Sequence, residues 1–248
     1  MPGVALQAPG LPMMADEEPT GDTGGAAMTA GNEPAGRRSA NIYVDGFNLY
    51  YGALKGTEFR WLDIVKLCHK LVPQNPINRV RYFTARVSAR DSDPHGPARQ
   101  DTYLRALGAV GGISIHMGRF KQSKVRLPVV NQSLNDGRRM AEVYKTEEKG
   151  SDVNLATYLL LDAFRGESDI AVVVSNDSDL EEPIRVMIQE LDVPVGLVNP
   201  HKARPGCHDL IKLGPLFYKV VRPNALRACQ LPDSLQDSRG EIRRPSTW

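Results

Sequence analysis

Cysteine is scarce in this chain, and what little there is stands apart. The 248 residues hold three, Cys68, Cys207 and Cys229, with no CxxC pair and no histidines at zinc-finger spacing. That spacing excludes a disulfide scaffold and a structural zinc site and implies a reducing compartment. Cys207 and His208 adjoin in sequence, but adjacency alone does not make a nucleophile and its base. No apolar run approaches the roughly 20 residues that span a bilayer. Met1 to Ala15 lacks the basic start of a signal peptide, and the Arg37-Arg38 pair is followed by polar Ser39 and then a strand pattern, so a twin-arginine signal is excluded as well. The expectation is a cytoplasmic protein with no membrane partner. Neither GxGxxG nor a Walker loop is present, which argues against nucleotide-cofactor enzymes.

An excess of charge of one sign is also nearly absent, the net being +2, but charge is unevenly spread. The first forty residues carry Asp16, Glu17, Glu18, Asp22 and Glu33 against Arg37 and Arg38, leaving the remainder more basic than the total suggests. A basic body suits a polyanionic partner, although so small an excess is also ordinary surface charge.

Residues 1 to 38 are rich in Gly, Pro, Ala and acids and show no periodicity, so a disordered N-terminal tail is expected. From Pro223 the chain turns polar again, and Pro232, Gly240 and Pro245 interrupt it, which predicts a flexible C-terminal tail over 224–248. The folded domain is placed at 40–223. Within it, Asn41 to Val44, Asn78 to Val87, Gly112 to Arg119, Ile170 to Ser175 and Val193 to Val198 read as strands. Ile64, Leu67, Cys68 and Leu71, and again Leu180, Ile184, Met187, Ile188 and Leu191, recur at helical spacing. Alternation of strands and helices predicts an α/β fold with a mainly parallel sheet of about five strands.

Into that frame fall four carboxylates. Asp45 ends the first apolar run, Asp177 and Asp179 follow Val174-Ser-Asn, and Asp152 lies in Lys149-Gly-Ser-Asp-Val-Asn154. Ligands of open parallel sheets bind beyond the carboxyl ends of the strands, and right-handed crossovers put those ends on one edge. Asp45 and Asp177 are therefore expected side by side. Ser151 is a candidate N-cap for a helix whose apolar stripe continues through Ala156, Leu160 and Ala163, and Asp152 borders that stripe. Each acid also has a plainer role: a hairpin turn for Asp45-Gly46, a first-turn aspartate on the helix dipole for Asp152, a loop and cap for Asp177. Like charges gathered this closely need a cation or protons, and a divalent metal on oxygen ligands is the economical solution.

The ordered set Ile42-Tyr-Val-Asp-Gly-Phe-Asn48, Glu147-Glu-Lys-Gly-Ser-Asp-Val-Asn154 and Val173-Val-Ser-Asn-Asp-Ser-Asp-Leu180 resembles the NYN domain family, the LabA-like branch of the PIN-like nuclease superfamily, over about residues 41 to 220. The resemblance implies a Rossmann-like, PIN-type three-layer sandwich and a metal-dependent ribonuclease that hydrolyses phosphodiester bonds of RNA. By position, Asp45, Asp152, Asp177 and Asp179 would be the Mg2+ or Mn2+ ligands and, with Asn48, the catalytic set. Arg119, Lys121, Lys124 and Arg126, followed by Arg138 and Arg139, are candidate phosphate contacts, and equally a solvated loop face. Tyr50, Tyr51 and Phe120 are candidate base-stacking rings or core aromatics. Self-association into a homodimer is compatible with this reading. A haloacid-dehalogenase-type phosphatase would need a second aspartate where Phe47 stands, so the remaining rival is a PIN-like module that binds nucleic acid without cutting it.

Overall fold

A computed structural model describes residues 37–129, 140–201 and 205–248. Strand β1 (Ala40–Asp45) leads into the short helix α1 (Gly46–Leu49), a π turn (Tyr50–Leu54), α2 (Ile64–Leu71), β2 (Ile77–Ala85), α3 (Gly96–Val110), β3 (Ser114–Pro128), β4 (Met140–Lys149) and α4 (Ser151–Phe164). After these come β5 (Ile170–Val174), a 3-10 turn (Ser178–Leu180), α5 (Glu181–Gln189), β6 (Val195–Asn199), α6 (His208–Ile211), β7 (Phe217–Val220), α7 (Pro223–Ala228) and the hairpin β8 (Ser234–Asp237) and β9 (Gly240–Arg243).

Seven of the strands form one sheet in the order β4-β3-β2-β1-β5-β6-β7, parallel throughout except between β3 and β4. Buried parallel strands present apolar side chains to both faces. On one face Ile42, Val44, Val80, Tyr82, Val172 and Val174 pack under α2, α3 and α7. On the other, Tyr43, Phe83, Ala171, Val173 and Leu197 meet Leu155 and Leu159 of α4 and Ile184 and Met187 of α5. The expected α/β three-layer arrangement is present, with two more strands than the apolar runs indicate. β4 escapes notice because it is polar and mostly exposed on both faces, and β7 because it has only four residues.

Helix α4 is registered on the sheet by an ion pair at its far end. Asp162, fully buried, accepts from Arg81 Nε and Nη2 at 2.8 Å each and from the Tyr43 hydroxyl at 2.8 Å. At about 1.5 Å rise per residue, the ten positions back to Asp152 carry the helix start about 15 Å along, to the carboxyl edge of the sheet.

The expected flexible C-terminal tail is corrected by the structure. Pro223 opens α7, Gly240 takes φ 109° where the β8–β9 hairpin turns, and Leu226, Cys229, Leu231 and Ile242 are buried against Trp61 and Val221. The prolines and glycine of this segment punctuate short elements; its few apolar residues cover one face of α2 and α3. The expected N-terminal tail lies almost wholly outside the described residues.

Candidate acidic site at the sheet edge

Asp45 is the last residue of β1, and the chain turns directly into α1. Its Oδ1 accepts from the Asn48 backbone N–H at 2.9 Å, so it caps that helix and no hairpin forms. Its Oδ2 accepts from the Ser175 hydroxyl at 2.9 Å. Because β1 and β5 are paired neighbours with Val44 beside Val174, the next residues, Asp45 and Ser175, reach each other. A side chain at Gly46 would press its Cβ to 2.6 Å from the Phe83 carbonyl oxygen and 2.8 Å from the Tyr82 ring, so only glycine lets the turn lie this close to β2.

Asp177 follows two residues after Ser175. Ser175 Oγ accepts from its backbone N–H at 3.1 Å, and Asp177 Oδ1 in turn accepts from the Asp179 N–H at 3.1 Å, capping the 3-10 turn. Asn48 joins the loops: its Oδ1 accepts from the Asn176 N–H at 3.0 Å. Asp152 enters from the first turn of α4. Ser151 does not cap this helix as the sequence suggested. It is the first helical residue, preceded by Gly150 at φ 100°, and Glu148 reaches over to accept from its N–H at 3.2 Å and its hydroxyl at 2.8 Å.

Electrostatics shows that these carboxylates belong together. Burial, followed by Asp45, Asp177, Glu148 and Asp179, pushes Asp152 up to about 6. Burial likewise raises Asp45, with Asp177 adding to it against the hydrogen bonds from Asn48 and Ser175. The sequence acids Asp45, Asp152, Asp177 and Asp179 therefore share one field, and Glu148 and Ser175 are additions. Glu148 had a signal, three residues ahead of a helix start; Ser175 had none beyond following a strand.

Oxygen-only donors on a desolvated edge fit a hard divalent ion. Among the described residues, however, no three His, Cys, Asp or Glu groups are already arranged to hold one ion.

The basic stretch is redistributed by the strand it forms. Residues 119–126 lie inside β3, where side chains alternate, so Arg119 and Lys121 face one way and Lys124 and Arg126 the other. The antiparallel partner sets Glu147 opposite Lys121 and Glu142 opposite Arg126. A run free of acids in sequence is thus not one cationic face. Arg138 and Arg139 lie outside the described residues. Phe120 packs edge-on against Phe47 with ring centroids 5.7 Å apart, while Tyr50 and Tyr51 line a cavity beside the acidic edge.

A strand-edge aspartate pair, a helix-start aspartate and a parallel sheet define a protein of the PIN-like nuclease superfamily. The chain belongs to the NYN domain family, whose domain matches residues 39–208. It is 33% identical to 6-hydroxy-3-succinoylpyridine 3-monooxygenase HspA of Pseudomonas putida, over 84% of this chain and 74% of that one. A crystal structure of a protein of unknown function from Vibrio parahaemolyticus shares the fold at TM-score 0.50 and 16% identity, covering 77% of this chain and 98% of that one. No helix among the described residues is long and apolar enough to cross a membrane.

Proposed function

We propose that the protein is a Mg2+- or Mn2+-dependent ribonuclease that hydrolyses phosphodiester bonds of single-stranded RNA at the acidic edge. The observation that carries this reading is the meeting of Asp45 and Asp177 on the Ser175 hydroxyl at the strand ends, with Asp152 raised by burial and then by Asp45 and Asp177. Such a cluster is offset by an external cation. Asp45 and Asp177 would hold the ion, and Asp152 and Asp179 would ligate it directly or through water. A bound divalent ion supplies a water of lowered pKa and neutralises charge on the phosphate. Ser175 and the Asn48 N–H fix the Asp45 carboxylate in place. Asn48, with its Oδ1 engaged by Asn176, can turn its amide N–H groups to a water or phosphate oxygen. Lys124 and Arg126 sit on the same face of β3 as Phe120, giving a strand of RNA a cationic path away from the carboxylates.

The test is cleavage of end-labelled single-stranded RNA in EDTA, Mg2+ or Mn2+, beside Asp177→Asn purified identically. Cutting that needs metal and vanishes in the variant supports the assignment; binding without cutting in any metal favours the non-catalytic module. The Pseudomonas putida relative favours a second reading, hydroxylation of a hydroxypyridine acid. Oxygen consumption that depends on both 6-hydroxy-3-succinoylpyridine and an added two-electron donor such as a reduced nicotinamide, in protein that leaves RNA intact, would establish it instead.

A further inference from the structure

A cavity of about 330 Å3 opens beside Gly46 and Phe47, between the π turn, the loop joining β2 to α3, and Trp248. That volume is at the lower end of ligand pockets, roughly 300–1,000 Å3, and suits one ring with a substituent. Its lining combines two chemistries. Tyr50, Tyr51, Tyr82, Tyr103 and Trp248 supply aromatic surface, with Tyr50 and Tyr51 edge to face at 5.3 Å and Tyr103 and Trp248 at 5.6 Å. Lys55, Arg60, Arg90 and Arg99 supply four cations against the single carboxylate of Asp93. Two of the cations are already engaged. Arg60 donates to the carbonyls of Thr57 at 3.1 Å and Thr247 at 2.5 Å, and Arg99 pairs with Asp93. Lys55 sits 4.9 Å from the Tyr51 ring centroid, and neither it nor Arg90 has a carboxylate partner among the described residues.

We propose that this cavity binds a planar aromatic ring carrying an anionic group, the ring held by the tyrosines and the anion by Lys55 and Arg90. Aromatic walls take a flat ring of any base-like shape, and a cation in the lining selects for an anionic substituent. Tyr51 is 53% exposed, so part of its ring is open to a ligand. Two ligand sources share this chemistry: a nucleotide, as one residue of an RNA strand, and a free heteroaromatic acid of the kind named for the Pseudomonas putida relative. The proposal stands on the cavity itself and does not depend on cleavage.

The test is calorimetric titration of the full chain, in EDTA so that the acidic edge binds no metal, with uridine 5′-monophosphate, 6-hydroxy-3-succinoylpyridine and inorganic phosphate. The expected result is saturable binding of at least one aromatic probe, with phosphate alone weaker by about tenfold or more. Tyr51→Ala and Arg90→Ala should each weaken the aromatic probe by roughly tenfold, Tyr51→Phe should retain it, and Asp177→Asn should leave it unchanged. Nucleotide binding alone identifies the first source, and acid binding alone the second. The proposal is overturned if neither aromatic probe saturates in the millimolar range, if phosphate binds as tightly, or if both alanine variants bind like the parent. Failure of the ribonuclease reading would show differently, as intact RNA in every metal with these affinities preserved.

Discussion

Asp162 and Asp45 are both withdrawn from water, at 0% and 4% exposure, and the protein treats them in opposite ways. Asp162 receives a bidentate arginine, a tyrosine hydroxyl and, at 3.7 Å, a second arginine, Arg79. Asp45 receives the Ser175 hydroxyl and the backbone N–H groups of Asn48 and Phe47, and the charge that acts on it is another carboxylate, Asp177. Burying a carboxylate costs several kcal/mol unless an opposite charge is supplied, so among the described residues the first site is complete and the second is not. The completed pair fastens α4 to β1 and β2. The incomplete one stands where the fastened helix delivers Asp152. One carboxylate builds the platform, and the other is left for something that arrives from outside.

Substitutions sharpen this contrast, and the largest effect belongs to the completed site. Arg81→Met strands Asp162 without its main partner, and urea unfolding should show a loss of about 3–5 kcal/mol. Asp45→Asn should leave stability unchanged or improved, because it removes a buried charge that no cation offsets among the described residues, yet slow metal-dependent RNA cleavage by roughly 10² to 10³. If Asp45→Asn destabilised the fold as much as Arg81→Met, the two sites would be alike and the contrast would be lost. Saturating Mg2+, at about 100 times its dissociation constant, should add about 2.7 kcal/mol of stability to the parent and none to Asp45→Asn, read as a rise in melting temperature reversed by EDTA.

Smaller is the pH effect at Asp152. Its folded pKa of about 6 exceeds the ordinary 3.8, so between those values the folded chain holds more protons than the unfolded one and stability falls as pH rises. Above pH 6 the penalty is fully present. Asp152→Asn should therefore melt higher than the parent above pH 6 and equal to it below pH 4, and Mg2+ should shrink the difference. Smallest of all, Arg126→Ala should weaken RNA binding only a few-fold, since Glu142 lies opposite it on β4.

Much of the site was legible because strand order follows from apolar runs and handed crossovers. The acids at the ends of the Ile42–Val44 and Val172–Val174 runs had to emerge together once those strands paired. What pairing adds could not be read locally. Glu147 and Glu142 come to face Lys121 and Arg126 across an antiparallel ladder whose second strand has no apolar alternation. The C-terminal segment misleads for a related reason: Leu226, Leu231 and Ile242 are too widely spaced to show a period, yet each enters the same core beside Trp61. Pro232 and Gly240 mark turns there, and turns and tails share a composition. The aromatic cavity is assembled from four separate stretches, so only its adjacent tyrosines, Tyr50 and Tyr51, drew notice in sequence.

The central claim is that the acidic edge lacks a cation among the described residues and takes one from outside. Calorimetric titration of Mn2+ into the full chain at pH 6, where Asp152 is about half protonated, beside Asp45→Asn, tests it most directly. The account predicts saturable binding in the parent, accompanied by proton release as Asp152 ionises, and loss of both in the variant. Equal Mn2+ uptake by parent and variant, or none by the parent, would contradict it.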